Sequence, residues 1–265
     1  MKERKIVIIT GGTSGIGLET AKYLAEAGCA VYEFSRRETE LPGIRHMRVD
    51  VSDAVQVREA VEQIFVAEKR IDVLINNAGF GISGAFEFTD EADARNLMDV
   101  NLFGMNNTIR AVLPHMRAAG RGRIVNLSSV AGPLPIPFQA WYSISKAAVN
   151  ALTMALANEV KPYGISVCSV MPGDIKTGFT AARKKNALGD DIYGGRISRS
   201  VSRMEKDEQT GMDPSKAGRF IARLALKRRV KPYNTIGITY KLCILLSKIL
   251  PGSLIRFILG EMYAK

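Results

Sequence analysis

Lys5-Ile6-Val7-Ile8-Ile9-Thr10-Gly11-Gly12-Thr13-Ser14-Gly15-Ile16-Gly17 begins as a short apolar run and passes directly into a glycine-rich turn. An apolar run without polar alternation predicts a strand buried on both faces of a parallel sheet. Over residues 18–27 the apolar spacing becomes helical, and Gly28 closes it. Strand, glycine turn and helix in this order predict a nucleotide-binding unit. The backbone must turn tightly and approach a pyrophosphate closely there, and the first helical amides and the helix dipole stabilise its negative charge.

Working outward, apolar strand runs alternate with helical segments at residues 6–10, 30–35, 44–49, 73–76, 124–128 and 166–171. A seventh strand is expected near 233–238, beside a helix over 213–227 that has Asp213 as its cap and Pro214 at its first position. This alternation predicts the α/β class: a single-domain, doubly wound parallel sheet of Rossmann type. At 265 residues and 46% hydrophobic content the chain is long enough for one sizeable core, without repeats or low-complexity linkers. Residues 1–239 are read as the dinucleotide-binding and catalytic domain, and 240–265 as an apolar helical extension of it.

Composition narrows the chemistry. Cys29, Cys168 and Cys243 are odd in number and scattered, which argues against a disulfide framework or a zinc site and for a reducing cytoplasm. His46 and His115 are the only histidines, so no Ser-His-Asp triad or histidine metal cluster is expected, and no metal. Met1-Lys2-Glu3-Arg4-Lys5 runs straight into the first strand, unlike a secretory signal. The net charge of +11 attracts anions, with clusters at Arg183-Lys184-Lys185, at Arg196, Arg199 and Arg203, and over 223–231. No basic and aromatic surface pattern accompanies them, so nucleic-acid binding is not expected. An acyl carrier, a coenzyme A thioester or an acidic membrane is a better anionic partner, and most of these charges are read as a solvated surface.

Tyr142-Ser143-Ile144-Ser145-Lys146 carries the candidate chemistry. Residues four apart share a helix face, so Tyr142 and Lys146 project side by side. An ammonium beside a phenol is expected to lower its pKa from near 10 and to let it exchange a proton with a carbonyl or alcohol oxygen. Alone, such a pair also fits an ordinary solvated helix; its context decides. Gly11, Gly15 and Gly17 leave three residues and then one between glycines. That spacing resembles the short-chain dehydrogenase/reductase family, and further matches follow in the family's order over residues 5 to about 180.

The resemblance implies cofactor contacts from Thr10, Gly11, Thr13, Ser14, Gly15, Ile16 and Gly17; from Asp50 and Val51 at the adenine; and from Asn77, Ala78 and Gly79 after the fourth strand. Pro172, Gly173, Ile175 and Thr177 resemble the segment that meets the nicotinamide and its phosphates. It further implies a catalytic set of Asn101, Ser129, Tyr142 and Lys146, with Tyr142 and Lys146 also touching cofactor. Ser129 rather than Ser128 is chosen because it stands thirteen residues before Tyr142, the family's usual separation. Asn101 matches a position where the helix is typically disturbed so that a carbonyl can hold a relay water. Singly, each of these positions also suits a turn, a cap or a strand end.

At the end of the second strand, Ser35 stands where a carboxylate would accept the ribose hydroxyls of NAD, and Arg36 and Arg37 offer guanidinium groups to a 2′-phosphate. NADP is therefore expected over NAD, and Glu33 is placed inside the strand, out of reach. The tail predicts a helix over 240–250 with Lys241 and Lys248 on one face, a break at Pro251-Gly252, and a second helix capped by Ser253 over 254–259. No uninterrupted apolar run reaches spanning length. The two helices can cover the substrate cleft, pack in a dimer or touch a membrane interface peripherally, with packing preferred. The leading reading is an NADP-dependent oxidoreductase interconverting a hydrophobic ketone, steroid-like or lipid, and its secondary alcohol, acting as a homodimer or homotetramer. The alternatives are a 3-oxoacyl thioester reductase and a non-enzymatic dinucleotide sensor.

Overall fold

The computed structural model describes residues 4–265, and in it the opening apolar run becomes β1 (Ile6–Thr10), every residue buried. The chain continues through α1 (Gly15–Glu26), β2 (Ala30–Ser35), β3 (Ile44–Arg48), α2 (Ala54–Glu68), β4 (Val73–Asn76), β5 (Ile82–Ser83) and α3 (Glu91–Met98). After a π-helical turn at Asp99–Phe103 come α4 (Gly104–Ala118), β6 (Gly122–Leu127), α5 (Ala140–Glu159), β7 (Ile165–Met171), α6 (Phe179–Ala182) and β8 (Lys184–Lys185). The chain closes with α7 (Arg196–Gln209), α8 (Pro214–Leu226), β9 (Tyr233–Thr235), α9 (Ile238–Leu246) and α10 (Gly252–Tyr263).

Seven strands form one parallel sheet in the order β3-β2-β1-β4-β6-β7-β9, the doubly wound fold expected from the alternation. The central strands β1, β4 and β7 read as mostly apolar runs because helices cover both faces. On one face Ile8, Phe34, Leu74 and Ile124 pack with Ile64 of α2, Val112 of α4 and Val149 of α5. On the other, Val7, Ile9, Ile75 and Val125 pack with Leu24 of α1 and Ile221 of α8. The strand order reverses between β1 and β4, which opens a crevice at the carboxyl ends of the strands. Asp213 caps α8 by accepting the Ser215 amide at 2.8 Å, as its position before Pro214 predicts.

The tail departs from its expected form. Helix α9 ends at Leu246, and Lys248 and Ile249 close tight turns onto Leu245 and Leu246, so Lys241 and Lys248 do not share a helical face. Pro251, whose φ is already near the helical value at −57°, takes the cap position of α10. Ser253 therefore lies inside the first turn, and α10 runs on to Tyr263. The packing role is met in part: Ile244 is the one buried residue of α9 and α10 has none, while at the end of α10 Tyr263 donates to Asp207 of α7 at 3.4 Å and Arg196 donates to the Ala264 carbonyl at 2.5 Å. The division at 239/240 falls within α9, whose Tyr240 hydroxyl donates to the Asp174 carboxylate beside the crevice.

Candidate active site

The glycine turn shapes one end of the crevice. Gly11 and Gly15 hold φ of 65° and 54°, and a side chain at Gly17 would run into the Gly11 carbonyl oxygen. Thr13 and Ser14 lie beside the leading amides of α1, and Ser14 makes no side-chain cap bond. Those amides have no intrahelical partner and suit a phosphate. The turn is tied to β4 by Asn77, whose Nδ2 donates to the carbonyls of Thr10 at 3.1 Å and Gly11 at 2.8 Å.

Thr10 is the exception among the expected cofactor contacts. Its Oγ1 accepts from the Asn77 and Ala78 amides at 3.0 and 2.9 Å, which places it one layer behind the crevice wall. The other expected cofactor residues line a cleft of about 890 Å³: Gly11, Thr13 to Gly17, Ser35 to Arg37, Asp50 and Val51, Asn77 to Gly79, and Pro172, Gly173, Ile175 and Thr177, together with Tyr142 and Lys146. Arg36 and Arg37 are exposed at the end of β2, and neither forms an ion pair with another described residue.

Sequence reasoning passes over the role of Glu33. Fully buried within β2, it accepts the Gly12 amide at 2.8 Å and the Ser35 hydroxyl at 3.2 Å, and contacts His46 Nδ1 at 2.7 Å. A carboxylate in an otherwise apolar strand is the available signal, since buried charges are partnered. Glu33→Leu strips the Gly12 amide of its acceptor and is expected to cost about 1–3 kcal/mol of stability. Chemical denaturation checks this, and an unchanged midpoint would remove Glu33 as the anchor of the turn.

At the other end, β6 delivers Ser128 and Ser129 and α5 presents Tyr142 and Lys146. Ser128 is consumed structurally, its Oγ donating to the Lys146 carbonyl at 2.8 Å. Ser129 lines the cleft with Tyr142, and its Oγ accepts the Ala131 amide at 3.1 Å. Lys146 donates from Nζ to the Leu127 carbonyl at 2.9 Å and lies 5.6 Å from the Tyr142 ring centre. The helix disturbance expected at Asn101 is the π-helical turn of Asp99–Phe103. The Asn101 side chain itself is buried behind Gly79, accepting the Phe80 amide at 3.0 Å and donating to the Phe80 carbonyl at 3.0 Å and to Ser145 Oγ at 3.1 Å. It supports the wall from within.

The expected fall in the Tyr142 pKa is not what the site produces. Burial pushes the phenol up to about 12, opposed by the nearby Ser129 hydroxyl and the Arg183 cation and assisted by Glu208 and Asp174. Burial also lowers Lys146 to about 8, so the ammonium is itself weakened by the desolvation that raises the phenol. A phenol held in this range is a proton donor at neutral pH.

Arg183 belongs by residue order to a solvated basic cluster, yet its side chain is fully buried and paired with Glu208, which also accepts from Thr180. Lys184 and Lys185 pair with Asp93 and Glu205. No local signal marks this burial, because Glu208 lies on α7, twenty-five residues away. Asp174, Glu208 and Tyr263 also line the cleft, and burial raises the Asp174 carboxyl.

Residues 5–188 match the family model for short chain dehydrogenases. The chain belongs to the short-chain dehydrogenase family. It is 43% identical over 265 residues to a 3-ketodihydrosphingosine reductase of Bacteroides thetaiotaomicron, covering 98% of each chain. A short-chain dehydrogenase from Streptomyces avermitilis is similar in structure with a TM-score of 0.85, at 29% identity over 98% of this chain and 96% of that one. ElxO, solved with NADP bound, matches with a TM-score of 0.75 at 28% identity over 91% of this chain and all of its own. Short-chain dehydrogenases are nicotinamide-dinucleotide oxidoreductases, and the crevice fits such a group: its glycine turn packs too closely against Ala78, Glu33 and its own Gly11 carbonyl to admit side chains, and the Ser14 side chain does not cap the leading amides of α1.

Proposed function

We propose that this protein is an NADPH-dependent reductase of a ketone on a long-chain lipid, of the 3-keto sphingoid class that the Bacteroides relative's name carries. The observation that carries the reading is that Ser129, Tyr142 and Lys146 line one cleft, with Lys146 Nζ 5.6 Å from the Tyr142 ring centre. The dinucleotide supplies the hydride. Tyr142 gives its phenolic proton to the developing alkoxide at its Oη, and Ser129 orients and polarises the same oxygen. Lys146 holds the nicotinamide ribose, and Asn101 supports the proton relay by bracing the wall at Gly79 and Phe80. Arg36 and Arg37 grip the 2′-phosphate.

The Asp174 carboxyl at the cleft favours an amino ketone over a plain one. Asp174 is driven towards its neutral form by burial, and a substrate ammonium would stabilise the ionised form. Glu208 is already paired with Arg183, which leaves Asp174 the freer acid despite its bond from Tyr240. Initial rates on a 3-keto sphingoid base, on a ketone of equal chain length without the amine and on a 3-oxoacyl thioester, each with NADPH and NADH, test the reading. The expected result is the highest kcat/KM for the amino ketone with NADPH; a preference for the thioester would overturn it.

The pH dependence follows from the two shifts. Reduction needs Tyr142 protonated, which holds up to about 12, and Lys146 charged, which holds below about 8. The kcat/KM for reduction is expected to stay level through neutral pH and then fall about tenfold per unit above the Lys146 pKa. A rate that stays level well into the alkaline range would remove Lys146 as the controlling cation.

A further inference from the structure

Two successive helices leave apolar stripes uncovered. On α9, Ile238, Leu242, Leu245 and Leu246 are exposed at helical spacing; on α10, Leu254, Phe257, Ile258 and Met262 repeat the pattern. Ile249, between the helices, is 71% exposed, Leu245 55% and Phe257 63%. Scattered apolar side chains on a surface are ordinary, but two whole helix stripes in succession mark an interaction face.

The charges around these stripes select its partner. Lys241, Lys248 and Arg256 are exposed within the same segment. Glu261 is the segment's sole acid after Ile236 and pairs with Lys265. No helix among the described residues is long and apolar enough to cross a membrane. Apolar stripes in a cationic setting, on helices too short to span, match the chemistry of helices that lie in a bilayer interface. Tyr263 at the end of α10 lines the catalytic cleft, so the exposed pair is continuous with the cleft wall.

We infer that α9 and α10 dock this protein onto a membrane surface rich in anionic headgroups, with the exposed leucine, isoleucine and phenylalanine side chains entering the interface. The inference rests on this surface and holds whichever ketone the cleft reduces. A second copy of the chain is the competing occupant, and it offers an equally cationic surface to the one it would cover.

Flotation of the intact protein with vesicles of phosphatidylcholine, and of phosphatidylcholine mixed with phosphatidylglycerol, at low and high salt tests the inference. Light scattering on the same samples reports the oligomeric state. The protein is expected to float with the mixed vesicles at low salt and to weaken at high salt. Phe257→Glu with Leu245→Glu should abolish flotation, and Lys241→Glu or Lys248→Glu should reduce partitioning about fivefold or more. Both exposed-site sets should leave dinucleotide binding unchanged, which shows that the variants are folded. Absence of flotation on anionic vesicles overturns the inference. So does an oligomer that dissociates in Phe257→Glu while the unaltered protein ignores the vesicles, which would assign the stripes to a second copy.

Discussion

Tyr142→Phe is expected to lower ketone reduction by about 10²- to 10⁴-fold, the usual contribution of positioned acid–base catalysis. The substitution keeps the ring that stands 5.6 Å from the Phe179 ring, so the packing of the cleft wall survives and only the hydroxyl is removed. Ser129 keeps its bond from the Ala131 amide and stays at the edge of the cleft, which limits the structural cost. Dinucleotide affinity should change little, because the glycine turn and the basic end of β2 lie at the other end of the crevice. Single-turnover reduction measured beside a direct binding titration separates the two effects. Near-normal turnover in a folded Tyr142→Phe protein would remove Tyr142 as the proton donor.

Replacing Arg36 and Arg37 together by alanine should weaken NADPH binding by about tenfold to more than a hundredfold for each strong hydrogen bond to the phosphate that is removed, since a hydrogen bond to a charged group contributes about 1.5 to 3 kcal/mol. NADH binding should change far less. Both side chains are exposed and without ion-pair partners among the described residues, so their removal disturbs no internal network. Ser35 cannot repel a phosphate as a carboxylate would, and Glu33 is committed to the Gly12 amide beneath the turn. Titration of both dinucleotides against the unaltered and doubly substituted proteins decides the matter. Equal affinity of the unaltered protein for the two would reject NADP selection by these arginines.

The fold and most of the crevice are legible in the sequence because their causes are local. A strand covered on both faces must be apolar throughout, a turn that closes on a pyrophosphate must be glycine-rich, and a pair four apart on a helix must share a face. Hence β1, the glycine turn and the Tyr142–Lys146 pair stand where residue order alone puts them. The disturbed helix at Asn101 is also expected, through the family resemblance. The start of α10 is less legible: residue order points to Ser253 as the cap, whereas Pro251 holds that position through its fixed φ.

What the order of residues determined by itself was the doubly wound sheet, the crevice at its carboxyl edge, and the presence of a phenol, a hydroxyl and an ammonium there. Tertiary structure decided how those groups behave. It raised the phenol and lowered the ammonium, because burial acts on each charged form through the whole surrounding protein. It turned Arg183 from an apparent surface charge into the buried partner of Glu208, and Thr10 from a cofactor contact into the clasp between β1 and β4. It also left the stripes of α9 and α10 bare. Whether an apolar helix face is covered depends on which elements pack against it, and that is settled only by the arrangement of segments distant in sequence.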